Sequence, residues 1–225
     1  EFITPLTFQV LTKNKVHTDT FDEDEASKVQ HIHLADKTDV AVVVPATANT
    51  IAKMANGIAD NFVTSTLLAT TAPIYVAPAM NEHMWENLAT IRNVTQLKAD
   101  GKVIIEPATG FLAEGYDGKG RLPEPEEIFE QVTFFEGRRA YGSPLEGKSV
   151  LITAGGTKER IDPVRYISND SSGKMGYALA KAASVLGAEV QLVSTTKQLK
   201  VPFGVSVTYV ESAREMEEVV TAQFP

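Results

Sequence analysis

The stretch DVAVVVPATANT, residues 39–50, decides the fold class. Residues 40–44 are apolar without interruption and mostly β-branched. Asp39 and Pro45 bound them, a pattern typical of a strand buried on both faces of a parallel sheet. Apolar residues at the spacing of a helix begin shortly after Pro45. A buried strand that runs into a helix is the unit from which α/β proteins are built, so the stretch predicts that class.

The same alternation of strand and helix recurs along the chain. Strands are predicted at residues 40–44, 74–77, 103–105, 150–153, 190–193 and 205–210. Helices are predicted at residues 51–69 with a break near Gly57, at 84–97, from 123, at 175–186 and from 213, and a glycine-rich loop at 110–120. Alternation of this kind predicts parallel sheets covered by helices.

Residues 136–148, EGRRAYGSPLEGK, have no hydrophobic period and hold three glycines and a proline. We therefore expect a first domain at residues 1–135, a linker at 136–148 and a second domain at 149–225. Both domains are expected to be doubly wound, parallel-sheet, Rossmann-like units. The last helical pattern has barely begun where the sequence stops, so we expect an excerpt of a longer protein.

Composition excludes several classes of protein. The 225 residues are 43% hydrophobic and 22% charged, and no apolar run approaches the ~20 residues of a membrane span, so a soluble chain is predicted. Cysteine is absent, which excludes disulfides and thiolate sites and fits the cytoplasm. The net charge is −8, with 12 basic and 20 acidic residues before residue 142, so nucleic acid is a disfavoured partner.

Two polar turns follow neighbouring strands of the first domain, PATANT at residues 45–50 and PAMNEHMW at 78–85. Ligands of open α/β sheets bind beyond the carboxyl ends of the strands, where these turns lie. The Asn81 amide can donate to a substrate carboxylate. An ordinary turn capped by Thr47 or Asn49 is the alternative for the first turn, and core packing of the methionines and Trp85 for the second.

The segment QHIHL, residues 30–34, precedes the first strand. If it is extended, His31 and His33 share one side, but no third ligand is spaced for a metal ion, so no metal site is predicted. A single histidine can serve as a general base, because its ordinary pKa lies near neutrality.

The second domain carries TAGGT at residues 153–157 and ISNDSSGKMG at 167–176. Neither is a Walker A loop or a G-x-G-x-x-G fingerprint. Both offer free backbone N–H groups that can bind anions, and a long structural loop is the alternative. An NAD-dependent oxidoreductase using the turn at Gly155 and Gly156 is a further alternative, disfavoured by the missing fingerprint.

Taken together, the stretches quoted above resemble the bacterial flavoproteins that combine phosphopantothenoylcysteine decarboxylase with phosphopantothenate–cysteine ligase in coenzyme A synthesis. Residues 45–50 resemble the family's flavin-contacting P-A-S-A-N-T element, and residues 78–85 its P-x-M-N-x-x-M-W substrate element. Residues 153–157 and 167–176 resemble the ligase signature. The resemblance spans essentially the whole sequence and implies a flavodoxin-like flavoprotein domain followed by part of a ligase domain.

For the first domain, the resemblance implies FMN-dependent decarboxylation of 4′-phosphopantothenoylcysteine to 4′-phosphopantetheine. In the reaction that the resemblance implies, FMN would accept a hydride from the cysteine moiety, the resulting thioaldehyde would lose CO₂, and the reduced flavin would return the two electrons to the enethiol. It implies His31 as the base and Asn81 as the group that holds the substrate carboxylate. The residues implied against FMN are Thr47, Ala48, Asn49, Thr50 and Ala79, and those implied against the substrate are Met80, Asn81 and Met84.

For the second domain, the resemblance implies activation of 4′-phosphopantothenate by CTP and Mg²⁺ as an acyl-cytidylate, which cysteine attacks. Asn169 matches the asparagine that assists this intermediate. The residues implied at this substrate site are Gly155, Gly156, Ser171, Ser172, Gly173 and Lys174. The family also implies a homotrimer or a larger homo-oligomer.

The sequence departs from the family in one catalytic position. The family's flexible lid reads L-A-C-G-D, with the cysteine as proton donor, whereas this chain has LAEGYD at residues 112–117, which places Glu114 at the cysteine position. A desolvated glutamic acid can carry that proton at neutral pH. A non-catalytic flavin-binding regulatory protein is the alternative function. The family's flavin-phosphate loop is expected before Glu1, and its nucleotide lysines after Pro225.

Overall fold

The computed structural model describes residues 3–20, 29–113 and 115–223. The chain forms two compact units, Glu1–Ile128 and Phe129–Pro225. Each unit has its own parallel sheet and its own apolar core. No helix in the described ranges is both long and apolar enough to span a bilayer.

The first unit contains a three-stranded parallel sheet and a separate hairpin. Its elements are α1 (Pro5–Thr12), α2 (Gln30–Lys37), β1 (Ala41–Ala46), α3 (Ala48–Ala55), α4 (Phe62–Ala69), β2 (Ile74–Pro78), α5 (Glu82–Trp85), α6 (Leu88–Ala99), β3 (Val103–Ile104), β4 (Ala108–Phe111) and β5 (Asp117–Arg121). The sheet order is β1-β2-β3, and both pairs are parallel. Strands β4 and β5 pair antiparallel, so the predicted glycine-rich loop is a hairpin.

Strand β2 lies at the centre of this sheet, and all five of its residues are buried. The core is built on it and on residues of β1, α3 and α6: Val43, Ala46, Ile51, Ile74, Val76, Val94 and Leu97. The prediction that the first strand is buried on both faces is wrong for this chain. Val42 and Val44, which share one face of β1, are exposed, while Val43 on the other face is buried.

Side-chain caps set the helix boundaries of this unit. Thr47 caps α3, and Asn61 caps α4 in a capping box with Thr64. The helix predicted at 84–97 is two helices, because Asn87 leaves the helical conformation and its Oδ1 accepts a hydrogen bond from the Ala89 N–H at 2.9 Å. Gly57, with φ of +67°, follows the end of α3, so the predicted break near Gly57 is confirmed.

The second unit repeats the α/β plan. Its elements are the greater part of α7 (Pro125–Tyr141), then β6 (Ser149–Ala154), β7 (Glu159–Arg160), β8 (Tyr166–Ile167), α8 (Lys174–Val185), β9 (Glu189–Ser194), β10 (Val205–Tyr209) and α9 (Ala213–Gln223). The sheet order is β10-β9-β6, all parallel, with α8 packed on β6 and β9. Its core is Ala154, Tyr177, Ala180, Ala188, Val190 and Leu192.

The α/β class with parallel sheets is confirmed. In both three-stranded sheets the strands follow one another in chain order, so the described strands do not contain the reversal that defines a doubly wound sheet. Helix α7 also continues through residues 136–141, the first part of the predicted linker. Tertiary contacts hold that turn: the Arg138 guanidinium donates to the Ser184 carbonyl at 3.1 and 3.2 Å and lies 4.7 Å from the Phe134 ring.

Candidate functional site

The two polar turns of the first unit lie side by side. The Ala79 N–H donates to the Ala46 carbonyl at 3.1 Å, so the chain beyond β2 is tied to the chain beyond β1. Ala46 and Pro78 are partners in the parallel register, which places both turns at the carboxyl edge of the sheet. The expectation that these turns share one edge is confirmed, and this is the usual position of ligand sites in such sheets.

The first turn exposes hydroxyl and amide groups at the start of α3, where Thr47 is the N-cap. Thr47 Oγ1 accepts a hydrogen bond from the Thr50 N–H at 3.2 Å and lies 3.1 Å from Thr50 Oγ1. Thr47 and Asn49 are exposed, while Ile51 is fully buried and anchors the turn. The N-cap interpretation of Thr47 is therefore correct, and the cap leaves polar groups at the surface.

Asn81 is held in one orientation by two partners. Its Oδ1 accepts from the His83 N–H at 2.9 Å, and its Nδ2 donates to the Tyr116 hydroxyl at 2.6 Å. Because an amide nitrogen only donates and an amide oxygen only accepts, this pair of bonds defines which way the amide faces. Tyr116 comes from the chain between β4 and β5, 35 residues further along the sequence.

The β4–β5 hairpin is fastened to the second turn by its backbone. The Met80 N–H donates to the Gly120 carbonyl at 3.0 Å, and the Lys119 N–H donates to Glu82 Oε1 at 3.0 Å. A Cβ on Gly120 would lie 2.1 Å from the Met80 carbonyl oxygen, so only glycine permits this approach. These contacts are what bring Tyr116 to Asn81.

A charged network lies beside the hairpin. Glu106 pairs with Lys98 at 2.9 Å and with Lys119 at 3.1 Å, and the Lys119 ammonium lies 5.8 Å from the Trp85 ring. Partial burial by itself raises the pKa of Glu106, but the hydrogen bonds from the two lysines outweigh it and hold the pKa below its ordinary value of 4.5. Glu106 therefore stays ionised and ties β5 to α6.

The methionines of the second turn have different surroundings. Met80 and Trp85 pack against the core of the first unit, as the core-packing alternative expected. Met84 is 48% exposed, on α5. Met84 is thus the methionine of this turn that a ligand can reach.

His31 lies on a helix, not on an extended segment. Residues two apart on a helix do not face the same way, so His31 and His33 do not form the pair considered from sequence. The His31 ring packs edge-on to Phe62 at 6.5 Å, its Nδ1 is buried without a hydrogen bond, and in the described part of the chain it bonds to neither turn. No cluster of three metal-ligating side chains occurs in the described residues, and Glu114 lies outside them.

The second unit has a cavity of about 950 Å³ beyond the carboxyl ends of its strands. The residues that line it are Gly156, Lys158, Arg160, Tyr166, Ser168, Asn169, Asp170, Ser171, Ser172, Lys174, Thr195, Thr196, Lys197, Gln198, Leu199, Tyr209, Val210, Glu211 and Glu215. The set includes most of the ligase-signature residues singled out from the sequence, together with lysines and tyrosines that no motif indicated.

Three glycines pack the two sequence motifs of this unit against each other and against the chain after β9. A Cβ on Gly155, whose φ is +89°, would lie 2.2 Å from Thr195 Oγ1, and one on Gly156 would lie 2.5 Å from Asn169 Oδ1. A Cβ on Gly173 would lie 3.3 Å from the Gly155 nitrogen. Side chains at these positions would separate the motifs, so the glycines let the backbone groups converge at the cavity.

Cations and aromatic rings alternate around the cavity. The Lys158 ammonium lies 4.9 Å from the Tyr166 ring, and the Lys197 ammonium lies 5.6 Å from the Tyr209 ring. In the described residues neither ammonium pairs with a carboxylate. Cation–π contacts of this kind hold a lysine in place without neutralising it.

Asn169 and the start of α8 add donors to the same cavity. Asn169 Oδ1 accepts from the Ser171 N–H at 2.9 Å, which leaves the amide Nδ2 for another partner. Gly173 begins α8 in the left-handed conformation without a side-chain cap, and Lys174 follows it. An uncapped helix start presents free N–H groups, which favour anions.

Family comparisons agree with this division of the chain. The family described as Flavoprotein matches residues 1–135, more than half of the chain. The chain belongs to the flavoprotein family. The C-terminal domain of DNA/pantothenate metabolism flavoprotein matches residues 145–225 of this flavoprotein.

Curated relatives extend over the whole chain. The coenzyme A biosynthesis bifunctional protein CoaBC of Bacillus subtilis is 52% identical over 226 residues, which is 99% of this flavoprotein and 55% of the relative. A cysteine/cysteine sulfinic acid decarboxylase from an unknown prokaryotic organism is 47% identical over 224 residues, which is 99% of this chain and 62% of the relative. The chain therefore spans little more than half the length of these relatives.

A solved structure supports the fold of the family. It is a mutant PPC decarboxylase complexed with pantothenoylaminoethenethiol, 36% identical to this flavoprotein, with a TM-score of 0.51. The match covers 54% of this chain and 70% of the other.

Proposed function

We propose that the first unit is an FMN-dependent decarboxylase that acts on 4′-phosphopantothenoylcysteine in coenzyme A synthesis. The observation that carries the proposal is the fixed Asn81 amide at the carboxyl edge of the sheet, beside the exposed turn at Thr47. Membership of the flavoprotein family supports the cofactor, and similarity to CoaBC supports the substrate.

The residues of the first turn fit a flavin. Thr47, Asn49 and Thr50 offer hydroxyl and amide groups that suit the polar edge of the ring system, and Ala48 and Ala79 are small enough for a flat ring to approach the backbone. These five residues would hold FMN, which supplies the two-electron redox chemistry when bound. The protein residues themselves bind and orient the substrate.

Asn81 would bind the substrate carboxylate. One Nδ2 hydrogen is used by Tyr116, and the second remains free to donate to an anion. Met84, exposed on the adjacent helix, offers an apolar and polarizable contact for the thiol-bearing part of the substrate. His31 as general base and Glu114 as proton donor complete the proposed set, on the family resemblance alone.

Decarboxylation by the full-length protein loaded with FMN tests this proposal. We expect CO₂ release from 4′-phosphopantothenoylcysteine at least tenfold faster than from free cysteine at equal concentration. Preference for free cysteine would transfer the assignment to the activity named in the second relative. Bound flavin without CO₂ release from either compound would favour the non-catalytic alternative.

Replacement of Asn81 by alanine separates binding from folding. Loss of a donor aimed at the reacting group lowers kcat/KM by about 100- to 1,000-fold, while bound FMN should be unchanged. Asn87→Ala is the matched control, because Asn87 caps α6 through the same type of side-chain bond that Asn81 makes to α5. Near-normal turnover of Asn81→Ala would contradict the carboxylate role.

We propose that the second unit is the amino-terminal part of a CTP-dependent phosphopantothenate–cysteine ligase. The supporting observation is the cavity lined by Lys158, Lys174 and Lys197, which suits a nucleotide triphosphate with its Mg²⁺. Asn169 would donate its free amide hydrogens to the acyl-cytidylate. Calorimetric titration of the full-length protein with CTP and Mg²⁺ tests this, and equal affinity for CTP and inorganic phosphate would overturn it.

The proposed assembly is a cytoplasmic homotrimer or larger homo-oligomer, with small-molecule substrates as the other partners. The exposed apolar residues Val42 and Val44 on the edge strand are consistent with a covered surface. Sedimentation equilibrium of the full-length protein measures the state, and a monomer at micromolar concentration would contradict it.

A further inference from the structure

We propose that Tyr116 and Asn81 together form a two-donor site for the substrate carboxylate, with the Tyr116 hydroxyl as the second donor. The proposal deepens the decarboxylase assignment and rests on it. Tyr116 lies in a segment whose sequence drew attention only through Glu114, two positions earlier.

The direction of the hydrogen bond between the two side chains leaves the Tyr116 proton unused. Asn81 Nδ2 can only donate, so the phenol oxygen accepts at 2.6 Å and keeps its own O–H. Within residues 3–20, 29–113 and 115–223 this O–H has no acceptor. The two donors still available, the Tyr116 O–H and the second Asn81 N–H, are therefore carried by atoms 2.6 Å apart.

Two adjacent donors match the two oxygens of a carboxylate. A phosphate group carries more charge and is usually bound by arginine, lysine or a helix start. The described cations closest in sequence to Tyr116 are already paired, Lys119 with Glu106 and Arg121 with Glu124. Two neutral donors, next to cations that already have carboxylate partners, favour the singly charged carboxylate over the phosphate end of the substrate.

The hairpin makes this donor part of the substrate site. The bonds of Met80 to Gly120 and of Lys119 to Glu82 fix β5 against the turn that carries Asn81. Tyr116 is 38% exposed and lies directly before β5, so its ring is positioned by the hairpin while its hydroxyl remains accessible. A carboxylate bound by both side chains would bridge the hairpin and the sheet edge.

Two thioether ligands that differ only by the carboxylate isolate this contact. S-methyl 4′-phosphopantothenoylcysteine and S-methyl 4′-phosphopantetheine bind without turnover, because the blocked sulfur cannot be oxidised to a thioaldehyde. Titration into the FMN-loaded full-length protein gives both affinities. Tyr116→Phe should weaken the carboxylate ligand about 10- to 100-fold, as expected for a hydrogen bond to a charged group, and leave the other ligand within about twofold.

Tyr141→Phe is the control, because Tyr141 is an exposed tyrosine on α7 outside this site. Equal weakening of both ligands by Tyr116→Phe would mean a general packing role and would overturn the proposal. Unchanged affinities with release of the enethiol in place of 4′-phosphopantetheine would also overturn it, since Tyr116 would then be the proton donor of the reduction. Failure of the decarboxylase assignment itself is a different result, which is the absence of CO₂ release by the wild-type protein.

Discussion

In the first unit, the chain beyond the strand ends carries neutral donors held by side-chain hydrogen bonds, Asn81 with Tyr116 and Thr47 with Thr50. In the second unit, the chain at the same place in a similar sheet carries lysines around an open cavity of about 950 Å³. One architecture therefore presents two different sets of polar side chains at the carboxyl edge of its sheets, neutral donors in the first unit and lysines in the second.

The difference matches what each proposed ligand demands. A flavin ring and a carboxylate are recognised by a few donors in fixed directions, which requires side chains that hold each other in place. A nucleotide triphosphate is recognised by concentrated positive charge and free backbone N–H groups. Four experiments can break or sharpen this contrast, and they follow in order of expected effect.

Charge reversal in the second unit should have the largest effect. Lys158→Glu combined with Lys174→Glu should weaken CTP binding at least about 100-fold, since each lost contact to a charged group is worth about 1.5–3 kcal/mol. Calorimetry with CTP measures this. Lys181→Glu, an exposed lysine of α8 outside the cavity, should leave binding within about threefold. A similar loss in both proteins would mean that only net charge matters and would remove the contrast.

Gly120→Ala tests how far the first site depends on the hairpin. The new Cβ meets the Met80 carbonyl at 2.1 Å, so the hairpin must move away from Asn81, at a cost of about 1–3 kcal/mol. Misplacement of this kind should lower decarboxylation about 10- to 100-fold. Gly110→Ala in the same hairpin meets only the Arg121 side chain at 3.5 Å and should be nearly silent. Equal activities of the two variants would show that hairpin position does not control the site.

Thr47→Val removes a hydroxyl and keeps the side-chain shape. Loss of the N-cap bond to Thr50 should lower the free energy of unfolding by about 1 kcal/mol. Loss of a neutral donor should weaken FMN about 2- to 10-fold in a flavin fluorescence titration. Thr95→Val on α6, whose hydroxyl bonds only to the Ile91 carbonyl, should leave FMN affinity unchanged. Unaltered flavin binding by Thr47→Val would remove this hydroxyl from the cofactor site.

Glu106→Gln should have the smallest effect, which depends on pH. The folded-state pKa of Glu106 is depressed, so its stabilisation is present above the unfolded value near 4.5 and is lost as pH falls through the folded value. We expect a loss of at most about 1 kcal/mol at pH 7 that shrinks as the pH falls below 4.5. Urea unfolding followed by Trp85 fluorescence measures it, since Trp85 is the single tryptophan.

Glu86→Gln is the matched control for that experiment, because Glu86 is an exposed carboxylate of the same unit with no ion pair in the described residues. A Glu106→Gln effect that did not shrink as the pH fell below 4.5 would assign the loss to packing, not to the pairs with Lys98 and Lys119.

Prediction from sequence worked where the signal is local. The strand β2, the break at Gly57 and the cap at Thr47 depend on neighbours within a few residues, and the structure has each of them. It failed for the predicted burial of both faces of β1, because an apolar run such as residues 42–44 does not show whether another layer of the protein covers it. It also missed the helix through residues 136–141, which depends on the bonds of Arg138 to Ser184.

The candidate site divides in the same way. Motifs and the family resemblance pointed to Asn81, Thr47 and the glycines of the second unit, which the structure places beyond the strand ends. Nothing in the sequence paired Asn81 with Tyr116, because that bond joins residues 35 positions apart and exists only after β5 docks on the turn.

By itself, then, the sequence determined the α/β class, the order of the strands in the two parallel sheets, and the polar turns after two neighbouring strands, since these depend on local patterns of apolar and turn-forming residues. The tertiary structure alone decided which donors meet. It brought Tyr116 to Asn81 and the lysines to a single cavity, because hydrogen-bond geometry and charge density depend on distances across the fold that no local pattern encodes.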